Sequence, residues 1–279
     1  MKICSDRLQA LMSYFPVQAQ VFHSGLLCQR TDFAAPELGG QIHLVQSGKM
    51  TVSHQGHPDM EVVGPSLLFY PRQTMRRFIP QKDIGVTLAC AGVRFGGGLD
   101  NPLTEALPEV IYLPLEDISG AEPILKLLFT EAFSDNCGRE PLTDRLFEAF
   151  MILLLRQLIE SDLIESGLLA GLAHPKLRQA MVAIHDHPAH NWSLDSLSEL
   201  TNMSRSVFAN TFRNVVGVTP GSYLQSWRIN LTQQALLKGE KLKTIPAIVG
   251  YSSETTLLRA FRAHCGTTPK DWLKSRNAE

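Results

Sequence analysis

Two periodicities divide the chain. Between about residue 17 and residue 114, apolar residues come in short runs: Gln41–Val45, Lys49–Ser53, Ser66–Tyr70 and Val86–Ala91. Turn residues separate them at Gly39-Gly40, Ser47-Gly48, Gly56-His57-Pro58 and Gly64-Pro65. Runs of that length and spacing predict strands of a barrel or sandwich. After Pro114 the spacing becomes helical, and Ala121–Phe133 and Leu142–Leu169 are predicted as helices. In the second, Leu146, Phe150, Leu153, Leu154, Gln157 and Leu158 form a wide stripe. Such a stripe suits a dimer interface or packing against the barrel equally well. Gly167, Gly171 and Pro175 mark a linker. From His174 to the end the pattern is helices joined by tight turns.

The helical part contains a repeat at an offset of 49 residues. SRSVFANTFRNVVGVTPGSYLQS (Ser204–Ser226) overlays SETTLLRAFRAHCGTTPKDWLKS (Ser253–Ser275) without a gap. Eight of 23 positions are identical: Ser204/Ser253, Phe212/Phe261, Arg213/Arg262, Gly217/Gly266, Thr219/Thr268, Pro220/Pro269, Leu224/Leu273 and Ser226/Ser275. Each copy has the physics of a helix-turn-helix. Ser204 and Ser253 can accept from orphan N–H groups at a helix start. Phe208 and Phe212, and Leu257 and Phe261, lie on one helical face that must be buried. Gly217 and Gly266 stand where a helix ends in a left-handed residue. Upstream lies a short helix and a turn: Leu194, Leu197 and Leu200 before Thr201-Asn202-Met203, then Ile245, Ile248 and Val249 before Gly250-Tyr251. Pro246 is compatible only with that helix's first turn.

The exposed faces carry the chemistry. The first predicted reading helix presents Arg205, Ser206, Ala209, Asn210 and Arg213, and the second Glu254, Thr255, Arg259 and Arg262. Arg and Asn suit guanine and adenine edges in a major groove. Pro220–Lys238 is predicted as one long helix between the copies. A spacing of about one DNA turn, ~34 Å, would let both heads enter successive grooves. The alternative is a helical bundle that binds protein, its arginines merely solvated.

Charge sharpens the division. Residues 1–173 hold 13 Lys+Arg against 20 Asp+Glu, a balance of -7, and residues 174–279 hold 13 against 7, a balance of +6. Only the second half suits a polyanion. At 44% hydrophobic and 19% charged, the 279 residues suit two globular domains. Met1–Ala10 shows no long apolar run, so no signal peptide is expected. The most apolar stretch, Leu146–Ile159, is interrupted by Glu148 and Arg156 and is shorter than the ~20 residues of a span. A soluble, cytoplasmic protein is expected. Cys4, Cys28, Cys90, Cys137 and Cys265 lack metal-ligand spacing and default to thiols.

SLDSLSELTNMSRSVFANTFRNVVGVTP, YLQSWRINLTQQALL and IVGYSSETTLLRAFRAHCGTTPKDWL resemble the DNA-binding domain of the AraC/XylS family. The resemblance implies base contacts at Ser206, Ala209 and Asn210, and at Thr255, Thr256 and Arg259. Ala209 departs from the common polar residue and would meet a thymine methyl or nothing. TIPAIVGY departs from the usual Ala-rich pattern. GQIHLVQSGKM, GPSLLFYPRQTMRRF and CAGVRFGGGLDNPLTEALPEVIYL resemble the cupin-type sensing domain of one branch of that family. Cupin enzymes hold a metal with clustered histidines. The candidates here are His43, His54 and His57, but Met75 occupies a usual ligand position and Pro65 replaces an acidic residue, so no metal is expected. The branch includes reactive-chlorine sensors, which implies redox sensing by Cys90 and Cys28 through a disulfide between neighbouring strands. The bland reading of Cys90 is a buried strand residue. Arg76, Arg77 and Arg94 would bind an anionic ligand or face water.

The expectation is an α+β protein with three parts: a cupin-like β-barrel at 1–115, a helical linker and candidate dimer interface at 116–173, and an all-α DNA-binding domain at 174–279. Its helix-turn-helix units would lie at about 194–216 and 243–265. The expected function is sequence-specific, signal-responsive transcription regulation. Expected partners are double-stranded promoter or operator DNA, RNA polymerase, a small ligand or oxidant, and a second copy. No cofactor, no membrane and no catalysis are expected, and activator and repressor remain alternatives. The competing classes are a metal-dependent cupin enzyme fused to a helical domain and a protein-interaction adaptor.

Overall fold

The computed structural model describes residues 6–33, 39–54, 58–82, 84–96, 101–161 and 163–277. Cys4 and His57 lie outside these residues. The chain forms two compact units. One comprises Val17–Leu99 with Leu107–Ser161, and the other Met1–Pro16, Asp100–Ala106 and Asp162–Glu279.

In chain order the first elements are α1 (Gln9–Tyr14), β1 (Val17–Leu27), β2 (Thr31–Phe33), β3 (Gly40–His54), β4 (Met60–Val63), β5 (Ser66–Tyr70), β6 (Arg76–Pro80) and β7 (Val86–Phe95). Then follow α2 (Pro102–Ala106), β8 (Ile111–Pro114), α3 (Glu122–Ala132) and α4 (Arg139–Glu160). The remainder is helical: α5 (Leu168–Ala173), α6 (Leu177–Asp186), α7 (Leu194–Leu200), α8 (Arg205–Val216), α9 (Pro220–Leu237), α10 (Ile245–Val249), α11 (Glu254–Cys265) and α12 (Pro269–Asn277). Among the described residues no helix is long and apolar enough to cross a membrane.

The strands form one antiparallel sheet in the order β1-β7-β3-β5-β8, with β4 and β6 on the far half of β3 and β2 on β6. The expected turn at Ser47-Gly48 lies inside a strand instead. The register of β3 against β7 shifts between Val45 and Ser47, the mark of a bulge. Gly48 has φ +95°, and a Cβ there would fall 2.3 Å from the Gly85 carbonyl oxygen. A bulge with a left-handed glycine bends the strand without ending it. Residues 41–45 therefore pair with β5, while residues 49–54 pair with β4 and β6. Every residue of β5 is buried. Val45, Met50, Val52, Phe78, Leu88 and Cys90 belong to the core enclosed between the halves.

α3 and α4, expected within a linker at 116–173, pack with the strands, whereas α5 belongs to the helical unit. The reason lies on β1, an edge strand. Val21 N–H donates to Asp144 Oδ1 at 2.7 Å and Ala19 N–H to Glu148 Oε1 at 3.3 Å. α4 thus satisfies edge amides that would otherwise stand open. Its buried ridge is Phe147, Phe150, Met151, Leu154, Leu155 and Leu158, while Leu146 and Leu153 of the expected stripe are half-buried. The helix stops at Glu160, short of Leu169.

Candidate nucleic-acid interface

Each head is built by local rules that the sequence writes twice. Ser193 caps α7 in a reciprocal capping box with Ser196. Of its three leucines only Leu197 is buried, and Leu194 and Leu200 remain 37% and 38% exposed. Asn202 takes the left-handed turn at φ +51°. Ser204 then caps α8 by accepting from Val207 N–H. Phe208 and Phe212 are fully buried, and Phe212 meets Tyr223 of α9 edge-on at 5.6 Å. Gly217 ends the helix at φ +87°. Thr219 caps α9, with Pro220 in its first turn.

The second copy repeats these devices from its reading helix onward, while its first helix, α10, starts without a side-chain cap. Pro246 sits in the first turn of α10, and Gly250 ends it at φ +89°. Ser253 caps α11 through Thr256 N–H at 3.2 Å. Leu257 and Phe261 are buried, Phe261 against Trp272 of α12 at 6.0 Å. Gly266 closes the helix at φ +72°, and Thr268 Oγ1 accepts from Asp271 N–H at 3.2 Å. The repeat therefore includes the cap of the following helix as well as the head.

Arg205, Ser206, Asn210 and Arg213 are exposed on α8, and Glu254, Thr255, Thr256, Arg259 and Arg262 on α11. Ala209, expected on the open face, is half-buried. Thr256 has a second duty, with Oγ1 2.9 Å from Ser253 Oγ in the cap. Arg205 Nε lies 2.6 Å from Asp195 Oδ1 on α7, a largely exposed pair worth about 0–1 kcal/mol. Val207 is 50% exposed beside these residues. Its apolar side chain gives no polar signal in the sequence, though a branched apolar residue in that place can meet a thymine methyl.

The link between the heads was equally invisible in the sequence. Arg228, on α9, donates through Nε to the Pro188 carbonyl and through Nη2 to the His190 carbonyl, both at 2.9 Å. Its guanidinium lies 5.7 Å from the ring centre of Tyr251, in the turn before α11. A Cβ on Gly250 would come within 2.7 Å of Ala189 Cα and of Arg228 Nη2. One side chain thus ties the loop before α7 to the turn before α11.

In the barrel unit the expected sensing residues separate. His23, Cys90 and His43 stand opposite one another on β1, β7 and β3. Cys28 follows β1 and is exposed, five residues past His23. Five residues of strand span about 16 Å, whereas a disulfide needs Cα atoms within about 7 Å. The structure therefore does not bring Cys28 and Cys90 together. Cys90 is buried, and burial pushes its thiol well above the ordinary range despite Arg76 nearby. Its Sγ lies 3.0 Å from His43 Nδ1. Arg76 Nε donates to His43 Nε2 at 3.3 Å, and His54 Nε2 meets the Tyr70 hydroxyl. Both histidines are thus engaged. Among the described residues no group of three or more His, Cys, Asp or Glu is arranged to hold a metal ion. Arg77 pairs with Asp32 at 2.6 Å, and Arg94 is exposed.

Residues 6–160 match the family described as Cupin, and residues 197–275 that described as Helix-turn-helix domain. An "Uncharacterized HTH-type transcriptional regulator" of Haemophilus influenzae is 31% identical over 63% of this chain and 59% of its own. The chain thus spans less than two thirds of that relative's length. The "RCS-specific HTH-type transcriptional activator RclR" of Escherichia coli is 25% identical over 87% of this chain and 88% of its own. Among solved structures, ToxT from Vibrio cholerae is 13% identical, covers 94% of this chain and 97% of its own, and has a TM-score of 0.37. By the two family matches, the sequence relatives and its paired, capped heads, the chain belongs to the AraC/XylS family, in the branch that carries an N-terminal cupin domain.

Proposed function

We propose that this protein is a sequence-specific, DNA-binding transcription regulator whose cupin unit senses a signal. The observation that carries this reading is the pair of helices α8 and α11, each opened by a capping serine and closed by a left-handed glycine. α8 buries Phe208, Phe212 and Val216, α11 buries Leu257 and Phe261, and each leaves a polar, arginine-bearing face open. Ser206, Asn210 and Arg213 of the first head and Thr255, Arg259 and Arg262 of the second would meet base edges and phosphates. Arg205, Glu254 and Thr256 would position the helix starts, and Ala209 and Val207 would meet methyl groups. Relatives with both regions are named as transcription regulators, which favours a regulator over an enzyme. A cytoplasmic site, a contact with RNA polymerase and a homodimer through α3 and α4 belong to the same reading.

For the signal, a ligand in the barrel accords better with the register than a Cys28–Cys90 disulfide. Such a ligand shifts DNA binding only by favouring one of two states. The test is unbiased selection of DNA with the purified chain, followed by affinity measured against salt. The expected result is a defined site and a linear fall of log affinity with log salt, with a slope of about -0.9 per phosphate neutralised. Recovery of no preferred sequence, or a flat salt dependence, would refute it.

A further inference from the structure

We propose that the cavity between α9, α11 and α12 is a binding site for a short free peptide, recognised by its backbone amides and its two charged ends. The cavity measures about 560 Å³ and lies wholly within the helical unit. That volume falls inside the ~300–1,000 Å³ of small-molecule sites. α9 contributes Ser226, Asn230 and Gln233, at i, i+4 and i+7, so one face of the helix supplies all three. The inward face of a packed helix is ordinarily apolar. Here it carries two carboxamides and a hydroxyl.

Gln233 is 4% exposed. Its Nε2 donates to Cys265 Sγ at 3.4 Å, and sulfur is a weak acceptor. Its Oε1 has no hydrogen-bond partner among the described residues, yet it is not sealed off, so it opens on the cavity that the residue lines. Among the described residues no hydrogen bond engages the Asn230 carboxamide or the Ser226 hydroxyl, both half-buried. Enclosed polar atoms are costly unless paired, so a ligand that brings donors and acceptors together is favoured there. Each peptide unit offers one N–H donor and one C=O acceptor, the complement of a carboxamide.

Charge selects the ends. The wall carries Glu105 from α2, which belongs to the same unit, and Arg276 from α12, with His264 of α11 as a further polar group. A ligand with an ammonium at one end and a carboxylate at the other matches both signs. A simple anion or a simple cation meets a like charge instead. Arg276 has its Cζ 5.7 Å from the ring centre of Trp272, which is itself buried against Phe261. That contact positions a fork suited to a carboxylate. A bound peptide would touch the connector α9 and both α11 and α12, and so hold the second head in one arrangement. This consequence rests on the regulatory reading, whereas the binding is measurable without DNA.

The full chain is titrated with trialanine and with N-acetyl-trialanine amide, which lacks both end charges, using ammonium acetate at matched ionic strength as the control. Melting temperature and heat of binding are read. So is the rate at which iodoacetamide alkylates Cys265, a half-buried thiol on the cavity wall. Cys28 and Cys137, exposed in the barrel unit, are the internal controls. Trialanine should raise the melting temperature saturably and slow alkylation of Cys265 alone. Blocking its ends should weaken binding by about tenfold or more, through lost charge-assisted hydrogen bonds. Asn230→Ala should weaken it by a similar factor while melting like the parent when no peptide is present. If Asn230→Ala does not fold, Ser226→Ala takes its place in the same test. The proposal is overturned if trialanine gives no saturable shift, or if the blocked peptide binds as tightly as the free one. It is equally overturned if Cys265 reacts at an unchanged rate in saturating peptide, or if the variant binds like the parent. Peptide binding by a chain that binds no DNA would remove the regulatory reading and leave the site standing.

Discussion

Phe212 and Asn210 sit two positions apart on α8 and have opposite duties. Phe212 is fully buried against Phe208 and Tyr223. Phe212→Ala should lower stability by about 3–5 kcal/mol, read by chemical denaturation. Asn210 and Arg259 are exposed, so Asn210→Ala and Arg259→Ala should leave the melting temperature unchanged. Each should weaken binding to the selected site by about 1–3 kcal/mol and relax preference at one base pair. Equal affinity of parent and variant would remove the residue from the contact set. His185 offers a pH test. It is buried beside Trp227, bonded through Nε2 to the Tyr223 hydroxyl at 2.6 Å, and burial lowers its pKa from 6.5 to about 3. The unfolded chain takes up a proton below 6.5 that the folded chain refuses until about 3. Stability from this group is therefore complete above pH 6.5 and falls toward pH 3 by about 1.4 kcal/mol per unit. His185→Gln should flatten that acid limb in denaturation at stepped pH.

At the scale of elements, two of the closing glycines make a controlled comparison. Gly217 has φ +87° with nothing within 4 Å of an added Cβ, whereas Gly250 has φ +89° and meets Ala189 and Arg228. Gly217→Ala should cost only the left-handed penalty, about 1–2 kcal/mol. Gly250→Ala should cost distinctly more by thermal melting, because the loop or Arg228 must move. The caps and terminators of the heads were legible in the sequence because each rests on one residue and its near neighbours. What escaped it was long-range. The bulge at Gly48 depends on the Gly85 carbonyl across the sheet, so its glycine reads locally as a turn. The break after Glu160 falls in a polar stretch, residues 160–167, where Leu163 and Ile164 keep a helical spacing that masks it, and Ala209's burial depends on packing that its neighbours in sequence do not reveal.

At the scale of the molecule, opposite charge balances and paired heads state the division of labour before any coordinate does. Arg76 was legible only as one of three arginines that would bind an anion or face water; its buried cluster was not, because three strands, β3, β5 and β6, bring Gln41, His43, Tyr70 and Arg76 together from distant positions. The bridge made by Arg228 predicts that the heads act at fixed separation. Lengthening the DNA between the half-sites by about 5 bp, half a turn, should cut the parent's affinity by about tenfold or more. Arg228→Gln should bind the native spacing less tightly and lose less on the longer one. Identical spacing profiles would show that α9 alone sets the distance. A last consequence follows from the serine that opens each reading helix and the glycine that shuts it. Start, anchor and stop all travel inside one segment, so the outward-facing letters, apart from Thr256 in its cap and Arg205 beside Asp195, carry no folding duty. The heads are interchangeable cassettes: writing the first head's outward residues onto α11 should yield a chain that prefers a direct repeat of one half-site over the natural tandem of two.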